Sequence, residues 1–272
     1  MNSTVTRTLS GIVFLAVMIG CLLWNNYSFA VLLMFIMTVC MWEFYRITLK
    51  GKHPKAASSA IAGALVLFNC VFAGMAAPKL ACVTFIVLLV LMVSMVFMNK
   101  DFKDYAYIFA GLVYIGLPTV LSPNVVMQPD GSYSGLLMLA FFIIIWSSDV
   151  GAYCFGMLFG QKIWPAKMCP GISPKKSWAG FVGGMVMAVL AAWILLKTGM
   201  LEFPLVHVLA MAVIIHVMGV FGDLFESLWK RQFGVKDSGT IMPGHGGLLD
   251  RFDSALFAIP AAYVYLLLFQ LV

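Results

Sequence analysis

Nine apolar runs follow one another along this 272-residue chain, at residues 9–24, 27–42, 57–76, 80–98, 105–121, 135–155, 178–196, 204–222 and 254–271. An α-helix needs about 20 mostly apolar residues to cross a bilayer. The stretches between the runs are too short for a soluble domain, so the bilayer is the solvent. The expected fold is all-α and polytopic, with about nine transmembrane helices. Composition agrees: 62% of residues are hydrophobic and 10% charged, against roughly 25% charged in soluble domains. The first two runs meet at Asn25 and Asn26 and read as a tight helical hairpin.

Nine spans place the N-terminus and every second loop on one face, and the cations test that count. Arg7, Arg46, Lys50, Lys52, Lys55, Lys100, Lys103, Lys162, Lys167, Lys175, Lys176, Lys230, Arg231, Lys236 and Arg251 fall on that face, and only Lys79 and Lys197 on the other. Cytoplasmic loops carry the excess of Lys and Arg, so the N-terminus is expected in the cytoplasm and the C-terminus on the opposite face. Arg7 precedes the first run with no small-residue cleavage site after it, which reads as a retained first helix. The formal charge of +6 thus sits on the leaflet that carries anionic lipids and meets soluble nucleotides. Aromatic residues are not interleaved with these cations, which argues against nucleic acid as a partner. The six cysteines form no CxxC pair and read as small hydrophobes. Five spans in 1–134 form an expected scaffold with room for oligomer contacts, and 135–272 an expected catalytic region.

Of eleven acidic residues, five lie between Asp223 and Asp253, and a sixth, Asp149, lies inside the sixth run. Carboxylates are expensive in hydrocarbon and are kept for a function or a partner. If the eighth span continues as a helix, Asp223, Glu226 and Lys230 share one side. An interfacial amphipathic helix with a surface salt bridge is the bland alternative. Farther on come Lys236-Asp237-Ser238-Gly239-Thr240, Pro243-Gly244-His245-Gly246-Gly247 and Asp250-Arg251-Phe252-Asp253. Glycines let backbone amides approach an anion, and the helix that follows offers its positive N-terminal end.

Asp223 and Asp250, with Asp253 and Asp149, suit one or two magnesium ions, which prefer one or two carboxylates plus phosphates and water. Lys230, Arg231, Lys236 and Arg251 are placed to hold a polyphosphate. In the loop before the seventh span, Ser173 and Ser177 can donate to phosphate and Lys175 and Lys176 supply charge. His245, between glycines, is the candidate functional histidine, whereas His216 reads as packing. Gly156 to Lys162 is one residue short of a phosphate-binding loop. Gly156 with Gly160, and Gly180 with Gly184, read as close helix packing.

The run Ser227-Leu228-Trp229-Lys230-Arg231, then Lys236-Asp237-Ser238-Gly239, then Pro243 through Asp253 closely resembles the signature of phosphatidate cytidylyltransferases, also called CDP-diacylglycerol synthases. The Ser173-Pro174-Lys175-Lys176-Ser177-Trp178 loop and the Asp149 segment resemble the same family. The resemblance implies that the phosphate of phosphatidate attacks the α-phosphorus of CTP, giving CDP-diacylglycerol and pyrophosphate. It implies Asp223 and Asp250 as metal ligands, with Asp253 and Asp149 supporting. It also implies a catalytic set of Asp223, Asp250, Lys230, Arg231, Lys236 and His245, and a substrate-binding set of Ser173, Lys175, Lys176, Ser177, Ser227, Asp237, Gly246, Gly247 and Arg251. Magnesium is the expected cofactor, with room for a monovalent ion, and the bilayer and a homodimer are the expected partners. The site is expected on the cytoplasmic face of the membrane, the inner membrane in a bacterium. A CTP-dependent lipid alcohol kinase would share topology, metal and cations. An ion-coupled transporter fits less well, because no internal repeat is visible.

Overall fold

The computed structural model describes residues 3–96, 102–128, 130–160 and 163–272; Lys100, Lys162 and the end of the run 80–98 lie outside them. Among the described residues, nine helical segments are long and apolar enough to cross a membrane, the number expected. They are α1 (Ser3–Trp24), α2 (Asn26–Thr48), α3 (Pro54–Phe72), α4 (Ala77–Val96), a broken segment, α8 (Leu136–Leu158), α9 (Trp178–Lys197), α10 (Leu205–Gln232) and α11 (Leu249–Leu268). The chain is an integral, multi-pass membrane protein. It divides into two compact units, Met1–Met127 with Asp237–Arg251, and Gln128–Lys236 with Phe252–Val272. The segment Asp237–Arg251, expected with the C-terminal region, therefore packs with the N-terminal helices.

In the first unit, Asn25 alone turns the chain between α1 and α2. Its side chain accepts from the Ser28 amide (2.8 Å) while Ser28 Oγ accepts from the Asn25 amide (3.1 Å). This reciprocal cap satisfies two donors that a helix start leaves open, and it makes the expected hairpin. α2 runs six residues past the expected end of the second run, so Glu43 and Arg46 belong to the helix, not to a basic loop. The broken segment comprises α5 (Phe102–Gly111), a π-turn (Leu112–Gly116), α6 (Leu117–Leu121) and α7 (Pro123–Val126). Pro118 and Pro123 each lack an amide hydrogen, which breaks the ladder. Thr119 and Ser122 hydroxyls return hydrogen bonds to the carbonyls of Ile115 and Pro118.

In the second unit the glycines let helices close. A methyl group at Gly151 would come within 2.7 Å of the Gly183 carbonyl, and one at Gly180 within 2.8 Å of the Ala152 carbonyl. That is the small-residue packing anticipated for this region. His216 is 1% exposed and its Nδ1 meets Ser148 Oγ at 2.7 Å, so it packs as expected. The expected Ser173 to Ser177 loop is instead a strand, β2 (Ser173–Ser177), antiparallel to β1 (Lys167–Cys169). Among the described residues no two cysteines form a disulfide.

Candidate active site

Two groups of polar residues, one in each unit, contain the candidates. In the first unit, Glu43 of α2 is completely buried. It accepts hydrogen bonds from Ser238 Oγ (3.0 Å), the Leu248 amide (3.1 Å) and the Leu249 amide (2.9 Å). Asp250 accepts from the Ser238 amide (2.9 Å) and the Gly247 amide (2.8 Å). The first amides of α11 are thus taken by the protein's own carboxylates. This corrects the expectation that the helix end and the Gly247 amide stand open to phosphate: Glu43 fills the anion site that the helix dipole creates.

The glycines serve the same closure. A side chain at Gly239 would collide with the Glu43 carboxylate, one at Gly247 with Ser238 Oγ, and one at Gly246, where φ is +85°, would approach Asp250 Oδ2 at 2.7 Å. Gly244 also has positive φ (+77°) and lies over the stem of Arg7. His245 Nδ1 meets Ser10 Oγ at 2.8 Å, and the Ser10 hydroxyl also reaches the Pro243 carbonyl. His245 is therefore tied to the start of α1. Asp237 and Arg251 are exposed.

In the second unit, Lys176 Nζ lies 2.7 Å from Asp223 Oδ2, and Ser227 Oγ donates to Asp223 Oδ1 at 3.2 Å. A side chain at Gly222 would collide with the carbonyl oxygen of Asp253. That bare backbone draws α10 onto α11 beside both acids, and Asp253 feels the charges of Asp223, Asp149 and Lys230. Lys230 pairs with Glu226, which is completely buried. The ion pair is internal, so the surface salt bridge of the bland reading is not what forms. Ser177 is buried as the N-cap of α9, accepting from the Gly180 amide at 3.1 Å, and so does not face outward as a phosphate donor. Ser173 is half-buried, while Lys175, Arg231 and Lys236 are exposed.

Among the described residues no group of three His, Cys, Asp or Glu could by itself hold a metal ion. Asp223 follows Gly222, whose bare backbone meets the Asp253 carbonyl, and Lys176 offsets Asp223. Magnesium commonly takes only one or two carboxylates and fills the rest with phosphate and water. Sequence reasoning missed Glu43 because the second run was ended at residue 42; an acid one position past an apolar run was the signal.

The sequence matches the profile described as the cytidylyltransferase family over residues 5–269. Similar proteins include the phosphatidate cytidylyltransferase of Bacillus subtilis (strain 168), 32% identical over 272 residues, covering 97% of this chain and 98% of that one. The phosphatidate cytidylyltransferase of Staphylococcus saprophyticus is 37% identical over 169 residues, 61% of each chain. That of Staphylococcus aureus (strain COL) is 36% identical over 168 residues, again 61% of each. With acids and lysines gathered among apolar helices and a profile match covering nearly the whole length, the chain belongs to the cytidylyltransferase family.

Proposed function

We propose that this protein is a phosphatidate cytidylyltransferase, a nucleotidyltransferase of phospholipid synthesis. A phosphate oxygen of phosphatidate bonds to the α-phosphorus of CTP, the bond from that phosphorus to the bridging oxygen of the β-phosphate breaks, and pyrophosphate leaves. The observation that carries the reading is the placement of Asp149, Asp223, Asp253 and Lys230 on membrane helices, with Lys176 of β2 paired to Asp223, in a chain similar along nearly its full length to a protein of that name. Displacement at phosphorus is mostly positioning and charge stabilisation, so cations and acids suffice without a protein nucleophile.

Asp223, supported by Asp253 and Asp149, in the second unit, and Asp250 in the first, are each proposed as magnesium ligands, for one or two ions that would offset the negative charge of the triphosphate. Lys176 holds Asp223 in place and presents its ammonium to phosphate. Lys175, Arg231, Lys236 and Arg251 are the exposed cations proposed to draw in CTP and the lipid headgroup. Lys230 neutralises Glu226 and adds its charge to the group around Asp253. Purified protein given Mg2+, CTP and phosphatidate is expected to form a cytidine-containing lipid with pyrophosphate; CDP released without that lipid would mark a lipid kinase instead.

The site is proposed to face the cytoplasm. The distribution of cations supports this, as does the first unit, where Ser10 near the start of the first span bonds His245 just ahead of the ninth. Eight spans between them return the chain to one face. A membrane-impermeant maleimide applied to intact cells is expected to leave Cys169, on the hairpin, unlabelled until the membrane is permeabilised. Labelling of intact cells would reverse the orientation.

A further inference from the structure

Glu43 lies far in sequence from every residue proposed above to touch substrate, yet it has no exposed surface and three donors converge on it. Its two oxygens accept from one hydroxyl and two amides, the role of a group that offers acceptors. Ser238 is the pivot. Its hydroxyl donates to Glu43 while its amide donates to Asp250. Gly247, whose amide also donates to Asp250, is bare where a side chain would strike Ser238 Oγ and Glu43. One turn along α2, Arg46 lies over the Trp42 ring and reaches the Ser238 carbonyl at 3.4 Å. Two side chains of one helix face therefore grip the same residue from its hydroxyl and its carbonyl.

We infer that Glu43 is a positioning residue that fixes Asp250, through Ser238 and the first amides of α11, in the orientation needed to bind the divalent ion. The inference rests on the reading in which Asp250 is a metal ligand. Partners of metal ligands, one bond removed, set ligand orientation, and their loss costs about 10- to 100-fold in metal affinity or activity. Glutamine in place of Glu43 keeps the shape but turns an NH2 toward a donor. The NH2 then opposes the N–H of Leu248 or Leu249, and the hold on the start of α11 is loosened.

The test is direct Mn2+ binding to the detergent-purified full-length protein, followed by electron paramagnetic resonance, alongside the Mg2+ concentration for half-maximal rate. For Glu43→Gln, eluting as a single folded species, the Mn2+ dissociation constant and the Mg2+ requirement are both expected to rise about 10- to 100-fold. Glu43→Asp, which restores the carboxylate, is expected to recover part of the loss. A merely structural role would lower the yield or melting temperature and leave metal affinity unmoved. Unchanged Mn2+ affinity and Mg2+ requirement in folded Glu43→Gln would overturn the inference. Should Glu43→Gln fail to fold, Ser238→Ala decides: a rise in both quantities supports the role and no rise overturns it. Wild-type protein that binds Mn2+ but transfers no cytidylyl group would sink the proposed reaction, and the binding comparison would still judge Glu43.

Discussion

Lys176 and Asp223 are both partly exposed, 22% and 38% by side chain, and an ion pair in such a setting adds at most about 1 kcal/mol to stability. Its value lies in aim. Lys176→Met is expected to lower kcat/KM for CTP by about 10- to 100-fold, the loss of one hydrogen bond to a charged group, with little change in melting temperature. Lys230 has the opposite balance, because its partner Glu226 has no exposed surface. Lys230→Met leaves that carboxylate without its lysine and is expected to destabilise the protein by about 3–5 kcal/mol. Adding Glu226→Gln should return most of the loss, as read by thermal melting in detergent; a single variant as stable as wild type would refute the pairing. Asp149 was legible in the sequence because an acid inside an apolar run needs a reason to be there, and Asp223 and Asp253 because they stand at the mouths of two runs. The bonds of Asp250 and Ser177 were not, since one residue type serves as cap, ligand or phosphate donor alike until its neighbours are known.

At the scale of elements, glycine and asparagine carried much of the readable signal. Asn25 and Asn26 marked the α1–α2 turn, and the Gly180 and Gly184 spacing marked close packing, because backbone rules act locally. Three features escaped. The β1–β2 hairpin depends on a cross-strand pairing that a five-residue polar stretch does not announce. The extra turns of α2 carry Glu43 and Arg46, charges that read as loop when taken alone. The closed end of α11 depends on an acid some 200 residues earlier in the chain. Gly222 links element to site, since α10 can meet Asp253 only where no side chain intervenes. Gly222→Leu is expected to cost about 1–3 kcal/mol through overpacking and, by pushing the two acids apart, to raise the Mg2+ requirement. Thermal melting and a Mg2+ titration of the rate check the two effects together. A lower melting temperature with an unchanged Mg2+ requirement would show that the Asp223 and Asp253 backbones need not lie so close.

For the whole molecule, hydropathy and charge together predicted nine spans, because the bilayer imposes both the length of a span and the sign of its flanks. The division into units was not legible. A short segment, Asp237–Arg251, joins helices from the other end of the chain, and only tertiary bonds such as those of Glu43 reveal it. The central claim is that this protein joins cytidylate to phosphatidate through acids and cations held by its helices. It is tested most directly by incubating wild type and Asp223→Ala with Mg2+, cytidine-labelled CTP and phosphatidate of several chain lengths, and measuring label in the extracted lipid. Wild type is predicted to produce labelled CDP-diacylglycerol and an equal amount of pyrophosphate, and Asp223→Ala to fall by about 100-fold or more. No labelled lipid from wild type with any of those chains, or equal product from the two proteins, would contradict the account.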